Sequence, residues 1–372
     1  MHSHTFIAAA GGTGGSISPL LSLLEMFPDD RVVWVGTRGH WGKEQEFVRG
    51  ALNPNRSLHF RTIASGKLRR YADLRNLFDP FFILVGFFQS LLLLLQEKPC
   101  AVLTAGSYVA VPVAWAAWVL RTPVVLYQQD VIVGLANRLM LPTASLVLSV
   151  RPGDDNKFKK SKLLITNYQL PITVVGAFIR NQVTSGSVES AEQYFCLEKE
   201  LPTLLVLGGG TGSGFLNQLI TGTLPALTQF SQIIHVTGSR TQSLEPRTYN
   251  LQPRYHPRQF LGPELADAYA AADLVVTRAG MGVLTELAVN TKAAVVIPMP
   301  ETHQEANAKL IHEHDAGVVV AQKKISPDHF VAMIEALIKT PKRRTMLSQN
   351  LATLFPRAKK EHVVAAIEGV IR

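Results

Sequence analysis

The sequence predicts two doubly wound α/β domains, each a parallel sheet with helices on both faces. Three observations carry this reading. The chain has 372 residues, room for two domains of ordinary size. Its halves open alike: residues 5–15 run from an apolar strand into Gly-Gly-Thr-Gly at 11–14, and residues 203–212 do the same with Gly-Gly-Thr-Gly at 209–212. After each opening, continuous apolar runs alternate with helical stretches, as strands buried on both faces require.

In the first half, the opening strand leads to a helix marked by Leu20, Leu21, Leu23 and Leu24, then to strands at 32–35, 101–104, 124–126 and 146–148. In the second, Phe215, Leu216, Leu219 and Ile220 mark the matching helix, followed by strands at 233–236, 274–276 and 294–297. A connection is expected near residues 165–180. The domains would span 1–179 with 357–372, and 180–356, with the carboxyl ends of both sheets facing one cleft. Pro356 breaks a helix, and 361–371 form an amphipathic terminal helix that fits a return to the first domain.

Composition narrows the function classes. Hydrophobic residues make up 47% and charged residues 17%, so two filled cores are within reach. Cys100 and Cys196 provide neither a disulfide framework nor a metal cluster, which points to a reducing compartment. The first residues run straight into a strand, so no secretory signal is expected. The net charge of +9 favours an anionic partner. Cations gather at Lys67, Arg69, Arg70 and Arg75, at 157–162, and at 342–344 with 357–360. No helix-turn-helix, zinc or aromatic-platform signature accompanies them, so nucleic acid is not an expected partner.

Residues 80–95 are apolar nearly all round. The run is shorter than the roughly 20 residues of a membrane span and contains Gln89 and Ser90. Two readings stand open: a helix buried between sheet and neighbours, or an apolar patch, with Phe78, Phe81 and Phe82 beside the preceding cations, that rests on an anionic bilayer. Isolated residues have structural readings. His235 suits the edge of a core, Trp115 and Trp118 suit helix packing, and Asp273 suits a structural hydrogen bond. His256, His312 and His314 lack metal-ligand spacing.

The most specific stretch is Thr277-Arg-Ala-Gly-Met-Gly-Val-Leu-Thr-Glu286 followed by residues 298–307. It reads as strand end, Gly turn, helix start, buried strand and polar loop, the order that builds a nucleotide-sugar pocket at the carboxyl edge of a parallel sheet. Glu286 would accept hydrogen bonds from a ribose, and Gln304 and Asn307 would offer amides to sugar hydroxyls. The Gly-rich turns let backbone N–H groups and a helix N-terminus approach phosphate. Neither is a G-x-x-x-x-G-K-[ST] loop.

Gly11–Gly15 with Pro19, Gly106-Ser-Tyr108 with Pro112, Gly134-Leu-Ala-Asn-Arg138, Gly208-Gly-Gly with Asn217, residues 268–273 and the block from Arg278 to Asn307 together resemble the MurG family of N-acetylglucosaminyltransferases. Ser65-Gly-Lys-Leu-Arg-Arg-Tyr71 fits the same pattern, and the likeness runs in order along nearly the whole chain. The resemblance implies a GT-B fold and inverting transfer from UDP-N-acetylglucosamine to a polyprenyl-diphosphate lipid acceptor, lipid I becoming lipid II. It also implies a cytoplasmic protein held peripherally on the inner membrane face, with an anionic membrane surface as partner. By position, Glu286 would bind ribose, Phe260, Leu261 and Leu265 would line the uracil site, and His303, Gln304 and Asn307 would hold the sugar. Arg180 with Gly210, Thr211 and Gly212 would meet the diphosphate. Thr13, Gly14, Gly15, Tyr108 and Asn137 would serve the acceptor. No cofactor or metal is required on this reading, and a divalent cation would be stimulatory rather than essential.

The chain departs from the family where chemistry is expected. Ser16 stands where the family has His after the first turn, and Tyr127-Gln128-Gln129-Asp130 stands where it reads His-Glu-Gln-Asn. Gly210-Thr211 replaces Ser-Gln, and Ala177-Phe178 replaces Asn-Pro before Arg180. A positioned base contributes about 10²–10⁴-fold, and neither Ser16 nor Gln128 is a base unaided. Asp130 lies two places after Gln128, on the same side of an extended segment, and is the candidate base; its other reading is the cap of a helix opening near Gly134. The alternatives to lipid I glycosylation are a different lipid acceptor and a catalytically weakened nucleotide-sugar-binding homologue.

Overall fold

Strands in both halves pair in parallel, and the computed structural model describes them over residues 4–12, 14–37, 44–53, 55–66, 79–151, 171–210, 212–238 and 253–371. The chain divides into two units, Met1–Phe178 with Arg357–Arg372, and Ile179–Pro356.

In the first unit, β1 (Thr5–Ala9), α1 (Gly14–Glu25), β2 (Arg31–Gly36), α2 (Glu44–Ala51), β3 (Leu58–Thr62), α3 (Asp79–Glu97), β4 (Ala101–Thr104), α4 (Ala110–Val119), β5 (Val124–Gln128), α5 (Leu135–Met140), β6 (Leu146–Ser149) and β7 (Ile172–Val174) follow in order. Its sheet runs β3-β2-β1-β4-β5-β6-β7, every neighbouring pair parallel. The second unit has α6 (Val188–Phe195), β8 (Thr203–Leu207), α7 (Gly214–Leu227), β9 (Gln232–Val236), β10 (Tyr255–Arg258), α8 (Glu264–Ala271), β11 (Leu274–Thr277), α9 (Met281–Val289), β12 (Ala294–Val296), α10 (Gln304–Glu313), β13 (Val318–Val319), α11 (Pro327–Ile338) and α12 (Pro341–Leu354). Its sheet runs β10-β9-β8-β11-β12-β13, again parallel throughout.

Counted from each unit's own first strand, both sheets read 3-2-1-4-5-6, and the first adds a seventh strand beyond the sixth. The internal repeat in the sequence is therefore a repeat of topology. The strand order reverses between β1 and β4, and between β8 and β11, and such switch points leave a crevice at the carboxyl edge. The central strands are buried on both faces, which accounts for their unbroken apolar runs. The expected connection near 165–180 is corrected in part: residues 172–174 form β7, an edge strand of the first sheet. The rest of that stretch, up to residue 170, lies outside the described residues.

The terminal helix α13 (Lys360–Ile371) follows a return of the chain to the first unit. There Ala358 N donates to Ala177 O at 3.0 Å, beside a parallel bridge between Ala177 and Arg357.

Burial does not describe most of α3, contrary to one of the two open readings. The helix is long and apolar enough to cross a membrane by length and composition, yet one face is docked on its own unit. Gly86 meets the Ala64 carbonyl closely, Ala64 N donates to Gln89 Oε1 at 2.7 Å, and Ser90 Oγ bonds Gly86 O at 2.6 Å. Those contacts explain why two polar residues sit in an apolar run. The other face leaves Phe81, Phe82, Leu84, Phe88, Leu92 and Leu95 exposed, up to 63% for Phe81. Trp118, at the end of α4, is 62% exposed and is not the packing residue expected, whereas Trp115 is partly buried with Nε1 donating to Leu139 O at 3.0 Å. The Lys67–Arg75 cations and Phe78 lie outside the described residues, as do residues 157–162.

His235 is fully buried, not at a core edge. Asn217 Nδ2 donates to Thr237 O at 3.0 Å, which turns its Oδ1 toward the imidazole. His235 Nε2 therefore carries the proton and donates to Asn217 Oδ1 at 2.9 Å, while Nδ1 accepts from the Tyr255 hydroxyl at 2.8 Å. Burial pushes the His235 pKa down to about 3. Asp273 has the structural role expected, accepting from Thr203 N at 3.0 Å.

The His235 shift fixes a sign for acid sensitivity. Above its ordinary value of 6.5 the group is neutral folded or unfolded and contributes nothing. As pH falls from there toward about 3, the unfolded chain takes up a proton that the folded chain refuses, and stability falls by up to about 1.4 kcal/mol per pH unit. Denaturant melts at neutral and mildly acid pH should show this slope reduced in His235→Gln, which cannot titrate.

Candidate active site

The second unit builds its site at the carboxyl ends of β8, β11 and β12. The chain leaves β8 through Gly208–Gly212, with positive φ at Gly209 (83°) and Gly212 (82°). Gly212 N bonds back to Gly209 O at 3.0 Å. A side chain on Gly212 would run into the Thr237 carbonyl, the same carbonyl that Asn217 holds. The buried Asn217–His235–Tyr255 chain thus sets the floor on which the turn sits. Ser213 then caps α7, its Oγ accepting from Leu216 N at 3.3 Å. The N-terminus of this helix offers partial positive charge to an anion.

Arg278, at the end of β11, ties the site together. Its Nε donates to Ser213 Oγ at 2.9 Å, and its Nη1 donates to Ile297 O at 3.1 Å and to Gln322 Oε1 at 2.8 Å. The guanidinium also lies over the Phe215 ring, 5.4 Å from its centroid. One cation so fixes the Gly turn, the end of β12 and the segment after β13. Sequence reasoning left it without a role.

Glu286 lies in the second turn of α9 and its Oε2 accepts from the Tyr269 hydroxyl at 2.8 Å. Burial raises its pKa, opposed by that hydrogen bond and by the charge of Arg180. Arg180 itself precedes the short helix Asn181–Val183. Phe260 is exposed while Leu261 is buried and Leu265 partly so, all three near the start of α8. His303 and Gln304 open α10, and Gln304 Oε1 accepts from Met299 N at 3.0 Å. Asn307 is completely buried and donates to Ala279 O at 3.0 Å. That bond braces the turn after β11. Thr211 lies outside the described residues; Gly210 is exposed at the tip of the turn.

The first unit repeats the plan with different contacts. The turn after β1 packs its Gly12, at φ 85°, on the Tyr108 ring, whose Cε1 lies 3.0 Å from where a side chain would begin. Ser107 Oγ donates to Gly11 O at 2.9 Å, and Gln129 Nε2 donates to Gly15 O at 2.7 Å. Gly14 starts α1, and Ser16 is buried in its first turn. Thr13 lies outside the described residues. Beneath this turn lies Glu44, 2% exposed, with Oε2 accepting from Thr37 Oγ1 at 3.0 Å. Burial raises its pKa. Its Oε1 occupies the space that side chains at Gly11 and Gly36 would need, so this acid is part of the floor of the turn, a role its sequence context did not signal.

Gln128 is buried and committed to the loop that follows β5. Its Nε2 donates to Asp130 O at 2.7 Å and its Oε1 accepts from Asn137 Nδ2 at 2.5 Å. Asn137 Oδ1 in turn lies 2.6 Å from where a side chain on Gly106 would begin. Gln128 and Asn137 are thus partners in the scaffold that holds the Asp130 loop. The strand ends at Gln128, so Asp130 is not aimed by an extended segment. α5 opens at Gly134, which has no side chain with which to cap it.

Two of the departures in this region explain each other. Tyr127 and Phe178 stack with centroids 4.2 Å apart. The Tyr127 hydroxyl accepts from Phe178 N at 3.2 Å and donates to Gly176 O at 3.2 Å. A proline at 178 would have no N–H to give. Among the described residues, no group of three His, Cys, Asp or Glu side chains could hold a metal ion.

Comparison with known proteins agrees with this architecture. A model of the glycosyltransferase family 28 N-terminal domain matches residues 6–149, and one of the glycosyltransferase family 28 C-terminal domain matches residues 203–363. A relative from Legionella pneumophila (strain Lens), a UDP-N-acetylglucosamine--N-acetylmuramyl-(pentapeptide) pyrophosphoryl-undecaprenol N-acetylglucosamine transferase, is 30% identical, with 98% of this chain and 97% of its own covered. A relative of the same name from Lachnoclostridium phytofermentans is 29% identical over 90% of this chain and 91% of its own. The crystal structure of Acinetobacter baumannii MurG shares the fold with a TM-score of 0.70 at 23% identity, covering 99% of this chain and 100% of that one.

Gly209 and Gly212 separate backbone strain from collision. Both have positive φ, but a side chain at 209 meets open space. Gly209→Ala should cost about 1 kcal/mol of strain, whereas Gly212→Ala should cost more than twice that and displace the turn. Thermal melts and UDP titration of the two variants check this.

Proposed function

The chain belongs to glycosyltransferase family 28, and we infer that it is an N-acetylglucosaminyltransferase of peptidoglycan synthesis. It carries N-acetylglucosamine from UDP-N-acetylglucosamine to a polyprenyl-diphosphate-linked muramyl peptide, lipid I to lipid II. The observation that carries the donor side is a half-buried carboxylate, Glu286, one strand away from a Gly-rich turn that opens a helix, both at the carboxyl edge beside a switch point. A diol-binding acid beside a phosphate-binding turn suits a nucleoside diphosphate.

The reaction displaces UDP from the anomeric carbon by an acceptor hydroxyl, with inversion. Negative charge grows on the diphosphate as the bond breaks. The turn Gly208–Gly212, the N-terminus of α7 and Arg180 are the groups we assign to that charge. Gln304 and His303, at the start of α10, are assigned to the sugar. On the acceptor side, Gly14, Gly15 and Tyr108 are assigned to the lipid diphosphate. Asp130 is the proposed base, carried on a loop whose backbone Gln128 grips. The residues present provide for the transfer without a cofactor; a divalent cation would add shielding of the diphosphates.

We place the protein on the inner face of the cytoplasmic membrane. The exposed apolar face of α3, with Trp118 on the neighbouring α4, would enter the interface of an anionic bilayer, and the net charge of +9 would draw it there.

Incubation with UDP-N-acetylglucosamine and lipid I in detergent should release UDP and form lipid II in equal amounts. UDP release with no glycosylated lipid would mean that water takes the sugar in place of lipid I, the outcome expected of an enzyme whose own acceptor is a different lipid. Asp130→Asn should lower turnover at least about tenfold with donor binding intact; an unchanged rate would remove Asp130 from the mechanism. Replacing Phe81, Phe88 and Leu92 by Ser should weaken sedimentation with anionic vesicles and leave UDP binding as it was.

A further inference from the structure

Glu286 is not presented to the site by its own helix alone. α8 and α9 meet through the 2.8 Å hydrogen bond from the Tyr269 hydroxyl to Glu286 Oε2. Tyr269 is fully buried, and burial holds its pKa well above 10, so the hydroxyl stays a donor at any working pH. α8 is pinned at both ends. Near its start, Asp267 Oδ1 accepts from Ser187 N at 2.8 Å. At its end, Lys292 Nζ reaches from just beyond α9 to Ala270 O and Ala272 O, each at 3.0 Å. The donor of the carboxylate is therefore fixed independently of any ligand.

A glutamate side chain has three rotatable bonds, and a carboxylate with no fixed partner spends binding energy on being ordered. A carboxylate already held at one oxygen does not. We propose that Tyr269 is the positioning residue of the nucleoside site: it sets the plane of the Glu286 carboxylate so that the remaining lone pairs meet the ribose diol, and it thereby sets the preference for ribose over 2′-deoxyribose. This rests on reading the second unit as the UDP-sugar site. The inference differs from a role as mere glue between α8 and α9, because glue would affect every nucleotide alike. The groups acting on the Glu286 charge are Tyr269 from α8 and Arg180 from the segment before Asn181–Val183. Losing the hydroxyl removes one of the two influences that oppose the upward pull of desolvation on this carboxyl.

The test is calorimetric titration of wild type and Tyr269→Phe with UDP and with 2′-deoxy-UDP, alongside thermal melts. The expected result is a UDP affinity about tenfold weaker in Tyr269→Phe, a 2′-deoxy-UDP affinity changed far less, and an acid limit of UDP binding moved to higher pH. Equal weakening of both nucleotides, or unchanged affinity for both, would overturn the inference. A cycle with Glu286→Gln gives an independent check. In that background, Tyr269→Phe should have little further effect on UDP; fully additive losses would refute positioning. Wild type that binds neither nucleotide would instead refute the donor-site reading, and the inference with it.

Discussion

Parallel pairing is the constraint on which the rest of each unit depends. Parallel neighbours cannot be joined by a tight turn, so each strand is followed by a crossover, and all the segments leaving the strands gather at one edge of the sheet. Where the strand order reverses, successive crossovers pass to opposite faces and leave a crevice. Gly11–Gly15 and Gly208–Gly212 follow the first strand of each sheet, Ser107–Tyr108 and Arg278–Gly280 the strand across the switch point, and Gln128–Asn137 and Pro298–Asn307 the next one out. Residues spread over more than a hundred positions of sequence converge because the sheet leaves them no other edge.

The two edges solve the same problem with different chemistry. In the second unit the ionisable groups Glu286, half-buried, and Arg278, buried, each have fixed partners: a tyrosine hydroxyl in one case, a serine hydroxyl, backbone carbonyls and a glutamine in the other. Such pairing is what allows charge to be buried at all. In the first unit the loop after β5 is held by neutral amides, Gln128 on Asn137 and Gln129 on Gly15. Glutamine at 128 fits this scaffold, since an amide both donates to the Asp130 carbonyl and accepts from Asn137, which a carboxylate could not do. The departure at 128 thus has a structural rationale, and so does the matched pair of Tyr127 and Phe178.

Much of this was legible in the sequence. The central strands announced themselves because burial on both faces demands unbroken apolar runs, and the paired Gly-Gly-Thr-Gly turns announced the repeat. Strands β3, β7 and β10 did not, because edge strands carry His59, Arg61, Thr173 or His256 among their apolar residues, and β13 did not because it is only two valines long. The place of Glu286 in the helix that follows β11 was legible from the Gly turn before it. Glu44, Tyr269 and the Asn217–His235–Tyr255 chain were not, since each works through a partner 7 to 20 positions away that local pattern cannot identify.

The sequence by itself determined the fold class, the order of the strands' apolar runs, the family and the segments that reach the working edge, because those depend on local periodicity and short motifs. Tertiary structure alone decided which polar side chains remain available at that edge. Asn307, Asn137 and Gln128 each bond neighbouring backbone or amides there, because a buried amide must satisfy its donors and acceptors wherever packing places it. It also decided that α3 keeps a bare apolar face, since composition states how oily a helix is, whereas only its neighbours determine how much of it they cover.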